Sequence, residues 1–225
     1  MMSLDIQYDD NVTISDEDAL IVVDMQYDFM PGGALAVEEG DVFINEVNSL
    51  MDGFFKKKYT VVCTQDWHPK NHSSFASAHE GKKPFDPVDA PGIGPVLWPD
   101  HCVIGSHGAS LHEDLHVDST HLIIRKGYNP EIDSYSGFLE NDHATETGLD
   151  GYLKTRGVKR IFVCGLALDF CVFFTSLDGS KKGYDVYLLP DLSRGVGSPP
   201  ESIPDAIDTM KKNGVKFTKP SSLKW

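Results

Sequence analysis

Cys171 heads the run Phe170-Cys-Val-Phe-Phe-Thr-Ser176, where an apolar strand gives way to a helical pattern. A helix N-terminus stabilises a thiolate, and a neighbouring lysine or carboxylate base activates the thiol further, so this cysteine is a candidate nucleophile. Beside Val172 and Phe173 it also reads as a buried structural thiol. Asp24 and Lys126 are the carboxylate and the cation within reach of that role. Asp24 has an alternative as a helix cap before Met25-Gln-Tyr-Asp-Phe29, and Lys126, next to Arg125, has one as an ordinary solvated cation.

A second constellation points to a metal. In Asp66-Trp67-His68 a carboxylate and an imidazole lie two residues apart. On an extended chain such side chains share a face about 6.6 Å apart at the backbone and reach one cation. His101, in Trp98-Pro-Asp-His-Cys102, is the natural third ligand, and His72 is either a fourth or a residue supporting one. One carboxylate and two imidazoles with open positions suit a catalytic divalent ion, Zn²⁺ first and Fe²⁺ or Mn²⁺ as alternatives. All nine histidines fall between His68 and His143. Among them His112-Glu-Asp-Leu-His116 matches the zinc-protease spacing, but the glycines and serines before it and Asp118-Ser-Thr120 after it predict one turn of surface helix. Gly92-Ile-Gly94 and Gly195-Val-Gly197 lack the third glycine of a phosphate loop.

The elements that must position these residues alternate. Strands are predicted at 19–23, 60–63, 121–124, 160–164, 185–189 and 215–217, the first, third and fourth apolar enough to be covered on both faces. Ile44, Val47, Leu50, Met51, Phe54 and Phe55 form one helical face. Lys154-Thr-Arg-Gly157, Lys181-Lys-Gly183 and Lys211-Lys-Asn-Gly214 supply cations and then glycine, as helix C-termini do. The order predicts a single α/β domain over 1–225, a three-layer sandwich with a central, mostly parallel six-stranded sheet. Ligands collect beyond the carboxyl ends of such strands. Asp24, Asp66 with His68, Lys126 and Cys171 all lie at those ends. The proline-rich stretch at about 69–100 reads as a long site-building loop.

Composition narrows the partners. Over 225 residues, 20 Lys and Arg against 34 Asp and Glu give 20 − 34 = −14, which disfavours nucleic acid and anionic membrane. No apolar stretch approaches a membrane span, and Met1 to Asp10 lacks the pattern of a secretory signal. The expectation is an intracellular, cytoplasmic protein whose four cysteines are thiols, with homo-oligomerisation left open.

Five segments, in order, resemble the motifs of the isochorismatase-like cysteine hydrolases, and within them the nicotinamidases. They are Val23-Asp-Met-Gln-Tyr-Asp-Phe29 with Gly32-Gly-Ala-Leu35, Thr64-Gln-Asp-Trp-His-Pro69, Trp98-Pro-Asp-His-Cys-Val103, the lysine motif from Lys126 to Phe138, and Cys164-Gly-Leu-Ala-Leu-Asp-Phe-Cys-Val172. Leu168 and Phe170 depart from the threonine and tyrosine usual near those positions. The resemblance implies an Asp24, Lys126 and Cys171 triad. It also implies a cis peptide at Leu166-Ala167 and an oxyanion hole from the amides of Ala167 and Cys171. The expected reaction is nicotinamide to nicotinate and ammonia through a thioester. Asp66, His68 and His101 would hold the metal, and Phe29, Trp98 and Tyr135 would wall a slot for a flat ring. A hydrolase of another small amide or of isochorismate, and a catalytically silent scaffold, are the competing expectations.

Overall fold

The computed structural model describes residues 6–225, so Met1 to Asp5 of the segment read as lacking a secretory signal lie outside the described residues. In chain order the elements are β1 (Val12–Thr13), β2 (Asp18–Val23), α1 (Ile44–Lys56), β3 (Thr60–Asp66), β4 (Leu122–Lys126), α2 (Leu149–Thr155), β5 (Arg160–Leu166), α3 (Phe173–Lys181), β6 (Asp185–Arg194), α4 (Ser202–Lys212), β7 (Lys216–Phe217) and β8 (Leu223–Lys224). Six strands form one sheet in the order β4-β3-β2-β5-β6-β7, every pair parallel. β1 and β8 pair separately.

Every residue of β2 is buried, as its unbroken apolar run requires of a central strand. Its one charge, Asp18, is met by Arg160 of β5, with Nε and Nη2 at 2.8 and 2.6 Å. The third predicted strand differs from expectation. β4 is an edge, paired to β3 alone, and alternates half-buried and exposed residues, with Ile123 40% exposed. Local apolarity could not distinguish a strand with two neighbours from a strand with one. Likewise α1 buries Ile44, Val47, Leu50, Met51 and Phe54, whereas Phe55 stays outside, 5.1 Å from the His121 ring. The cation-then-glycine signals do mark the ends of α2, α3 and α4; Gly157 and Gly183 take the left-handed φ values of 73° and 92°.

The chain steps from β2 to β3 and β4 on one side, then returns to lay β5 on the other side of β2. That reversal opens a crevice beyond the carboxyl ends of β2 and β5. Gly165 lets the two strands close there: at φ 110° a Cβ would sit 2.2 Å from the Val23 carbonyl oxygen. Residues 67–121 contain no named strand, only short 3-10 turns at Ala76–Ala78 and Val117–Ser119. His112 to His116 forms a turn rather than helix, so the protease spacing lacks the frame it needs. All four cysteines are buried and free. Among the described residues no helix is long and apolar enough to cross a membrane.

Candidate active site

Four strand ends deliver charged or nucleophilic groups to the crevice. Asp24 follows β2 with φ 47°; its N–H donates to Thr64 Oγ1 at 3.2 Å, and that hydroxyl donates to Oδ1 at 2.6 Å. It caps nothing, since the 3-10 turn Tyr27–Phe29 begins without a side-chain cap. Lys126 ends β4 and is 0% exposed, which removes the solvated-cation alternative. Its Nζ lies 2.8 Å from Asp24 Oδ2, 2.5 Å from Asp66 Oδ1, 2.9 Å from the Ser134 carbonyl and 3.4 Å from Cys171 Sγ. An ammonium has three protons for these four acceptors, and the thiol is the most distant.

Burial then decides the charges. It works against ionisation of Asp66, but Lys126 and His68 outweigh it and hold that carboxyl well below the usual range. Burial raises Asp24 despite Lys126, and Asp66 adds to the rise. For Lys126 burial is overcome by Asp24 and Asp66, so the ammonium is held far above its ordinary value. Burial also pushes the Cys171 thiol well up; Lys126 opposes this, while Asp24 and Asp66 reinforce it. The protonated thiol is therefore favoured over the thiolate in this setting. Cys171 sits in a π-helical turn, Leu168–Val172, ahead of α3, and faces two carboxylates as well as one ammonium.

The second constellation assembles beside the first. The donor atoms of Asp66, His68 and His101 lie within 4.8 Å of one another. His68 Nδ1 meets the Gly127 carbonyl and His101 Nδ1 the Pro99 carbonyl, both at 2.8 Å, which requires N–H at each Nδ1. Each Nε2 then faces Asp66 Oδ2, at 3.6 and 3.8 Å. Against the effect of burial, Asp66 raises His68 toward its charged form, so a bound cation would displace that proton. Two imidazole nitrogens converging with a carboxylate oxygen are the donor set of a divalent cation, so the residues fit one. Burial and the neighbouring His68 hold His101 at about 4, in the neutral form a ligand needs. His72 turns elsewhere: Ser74 Oγ lies 2.7 Å from its Nδ1, the Ile132 carbonyl 3.2 Å from its Nε2, and its ring packs 4.5 Å from that of His68.

Gln26 was not singled out by type or spacing. Its buried carboxamide accepts the Asp66 N–H at 2.7 Å and donates to the Asp66 carbonyl at 2.8 Å and the Ala109 carbonyl at 2.9 Å. A side chain thus pairs with the end of β3 as another strand would.

Above these groups lies a narrow pocket. Asp66, His101, Ala167 and Cys171 line it with the three expected aromatics, Phe29, Trp98 and Tyr135. Trp98 Nε1 donates to Tyr135 Oη at 3.0 Å, and Phe170 packs edge-on against both rings at 4.9 and 5.6 Å. Leu35, Asp133 and Val196 also line the cavity and were not foreseen. Asp133 Oδ2 is buried without a hydrogen-bond partner. Four residues before Cys171, the Leu166-Ala167 peptide is cis, and the Ala167 carbonyl accepts the N–H groups of Phe170 and Val172 at 3.1 Å.

Comparison with known proteins gives this geometry a lineage. Residues 18–220 match the isochorismatase domain. The nicotinamidase of Acinetobacter baylyi is 50% identical over 198 residues, covering 88% of this chain and 90% of that protein. A solved Acinetobacter baumannii nicotinamidase/pyrazinamidase superposes with a TM-score of 0.87 at 45% identity, covering 92% of this chain and 98% of its own. L. infantum PnC1, solved with nicotinate, gives 0.82 at 40% identity over 95% and 98%. Pyrazinamidase of Pyrococcus horikoshii, solved with zinc, gives 0.71 at 40% identity over 90% and 99%. The chain belongs to the isochorismatase family, and within it to the nicotinamidases.

Proposed function

We propose that the protein hydrolyses nicotinamide to nicotinate and ammonia, with Cys171 as nucleophile, Asp24 as proton carrier and Lys126 as a permanent counter-charge. The observation that carries this reading is the meeting of Asp24, Lys126 and Cys171 at the floor of an aromatic slot, against the Asp66, His68 and His101 donors.

Burial favours the protonated thiol, so proton transfer accompanies attack. Asp24 takes the thiol proton as Sγ bonds to the carboxamide carbon and the carbonyl electron pair moves onto oxygen. The amides of Ala167 and Cys171 receive that oxyanion, at about 3–4 kcal/mol per donor in comparable sites. Collapse breaks the C–N bond, Asp24 protonates the departing nitrogen, and ammonia leaves a thioester on Cys171. Water attacks with Asp24 as base, the C–S bond breaks, and the sulfur recovers its proton as nicotinate departs. Lys126 stays charged throughout and offsets the negative charge that passes between sulfur and Asp24. Asp66, His68 and His101 would hold one divalent ion, which supplies a Lewis acid for the pyridine nitrogen and orients the ring. Zinc is the ion we assign, in line with the zinc-bound P. horikoshii pyrazinamidase; the same donors accept Fe²⁺ or Mn²⁺. Phe29, Trp98 and Tyr135 would hold the ring by its faces and edges. Four free thiols support an intracellular, cytoplasmic setting.

Ammonia release from nicotinamide, measured for wild type and Cys171→Ala, tests the assignment. Loss of release in the variant supports it; release at the wild-type rate removes Cys171 from the chemistry. Running benzamide, which lacks the ring nitrogen, beside nicotinamide tests the pyridine preference.

A further inference from the structure

Asp169 lies two residues before Cys171 and takes no part in the steps above. Its carboxylate is buried, and its three partners are uncharged donors from one distant segment. Oδ1 accepts the Val196 N–H at 2.8 Å; Oδ2 accepts the Gly197 N–H at 2.9 Å and the Ser202 hydroxyl at 2.6 Å. One carboxylate thus fastens the turn that carries the nucleophile to the connection between β6 and α4. The fit is close: a Cβ on Gly195 would lie 2.9 Å from Asp169 Oδ1 and 2.7 Å from Ile203 Cδ1. Both fastened pieces reach the cavity, Phe170 from the turn and Val196 from the connection.

We propose that Asp169 is a positioning residue that sets the width of the substrate slot, holding Val196 against the cavity so that it admits a single flat ring. This rests on the nicotinamidase reading for its substrate and on the hydrogen bonds alone for its geometry. Hydrogen bonds to a charged acceptor are the strong class, so three on one carboxylate hold a segment better than the neutral contacts of a turn. Asp169 touches no reacting atom. Its loss acts on how tightly the ring is gripped and which rings fit.

The test compares wild type with Asp169→Ala, Asp169→Asn and Ser202→Ala. For Asp169→Ala, KM for nicotinamide is expected to rise about tenfold while kcat stays within about threefold, the pattern of lost ground-state grip. The kcat/KM ratio of quinoline-3-carboxamide to nicotinamide is expected to rise at least about tenfold, the discrimination a pocket wall typically provides. Asp169→Asn, which keeps one acceptor oxygen, should fall between, and Ser202→Ala should shift both readouts a smaller way in the same direction. Alkylation of Cys171, followed on its peptide by mass spectrometry, supplies a readout without substrate: N-phenylmaleimide should gain on iodoacetamide in the variants. An unchanged reagent ratio, or a fall in kcat at constant KM and constant amide preference, overturns the proposal. If Asp169→Ala does not fold, Ser202→Ala decides by the same criteria. Failure of wild type to hydrolyse nicotinamide would sink the substrate reading, while the alkylation ratio would still judge Asp169.

Discussion

Gln26→Leu probes how the metal donors are aimed, because Gln26 holds the backbone of Asp66, whose Oδ2 faces the imidazoles and whose Oδ1 meets Lys126. Leucine is close to glutamine in size, so the change removes hydrogen bonds and opens little space. The Asp66 N–H loses its 2.7 Å acceptor and the Asp66 carbonyl a 2.8 Å donor, whereas the Ala109 carbonyl keeps Gln65 Nε2 at 2.8 Å. Each buried polar group left unpaired costs about 1–3 kcal/mol, so the two groups on Asp66 place about 2–6 kcal/mol at stake. The backbone lowers that cost by tilting Asp66, and the tilt moves the carboxylate oxygen that faces His68 and His101. Removing a partner that orients a metal ligand typically weakens metal binding about 10–100-fold. That corresponds to about 1.4–2.7 kcal/mol. The assay titrates metal-free wild type and variant with zinc against a chromogenic chelator, and records thermal unfolding of both metal-free forms. Zinc affinity should fall at least tenfold. The Tm should drop by about 4–12 °C, at about 2–4 °C per kcal/mol for a chain of this size and a loss of about 2–3 kcal/mol. A lowered Tm with zinc affinity within twofold of wild type would refute the reasoning, since Gln26 would then brace the fold without aiming the carboxylate.

Three further outcomes follow from the same contacts. His68→Ala should lose bound metal by elemental analysis and raise KM for nicotinamide more than it lowers kcat. Lys126→Met leaves the Asp24 and Asp66 carboxylates buried without their shared cation; it should destabilise the protein by about 3–5 kcal/mol in urea unfolding and abolish ammonia release. Arg160→Leu strips the buried Asp18 of its 2.6 and 2.8 Å partner, far from the cavity. It should cost about 1.5–3 kcal/mol in urea unfolding and leave KM unchanged.

The parts of the fold that are legible in the sequence are those whose pattern is local. β2 and β5 read as central strands because burial on both faces demands continuous apolar residues, and helix ends read from lysine followed by glycine. β4 and Phe55 misled the same criteria, because whether an apolar residue is covered depends on how many neighbours its element acquires. The crevice was legible too: Asp24, Asp66, Lys126 and Cys171 end or follow four strands, and parallel strands bring such ends to one edge.

Partners and charge states were decided only by the tertiary structure. Gln26 meets Asp66 forty residues away, Lys126 meets Cys171 forty-five away, and Asp169 meets Val196 twenty-seven away. No periodicity spans such separations. The thiol shows this most clearly. Residue type and position named Cys171 as a nucleophile, and a strand-to-helix turn suggested a thiolate. Its ionisation is pushed to higher pH because desolvation and two nearby carboxylates act against one ammonium, a balance that exists only once distant segments have excluded water from the same small volume.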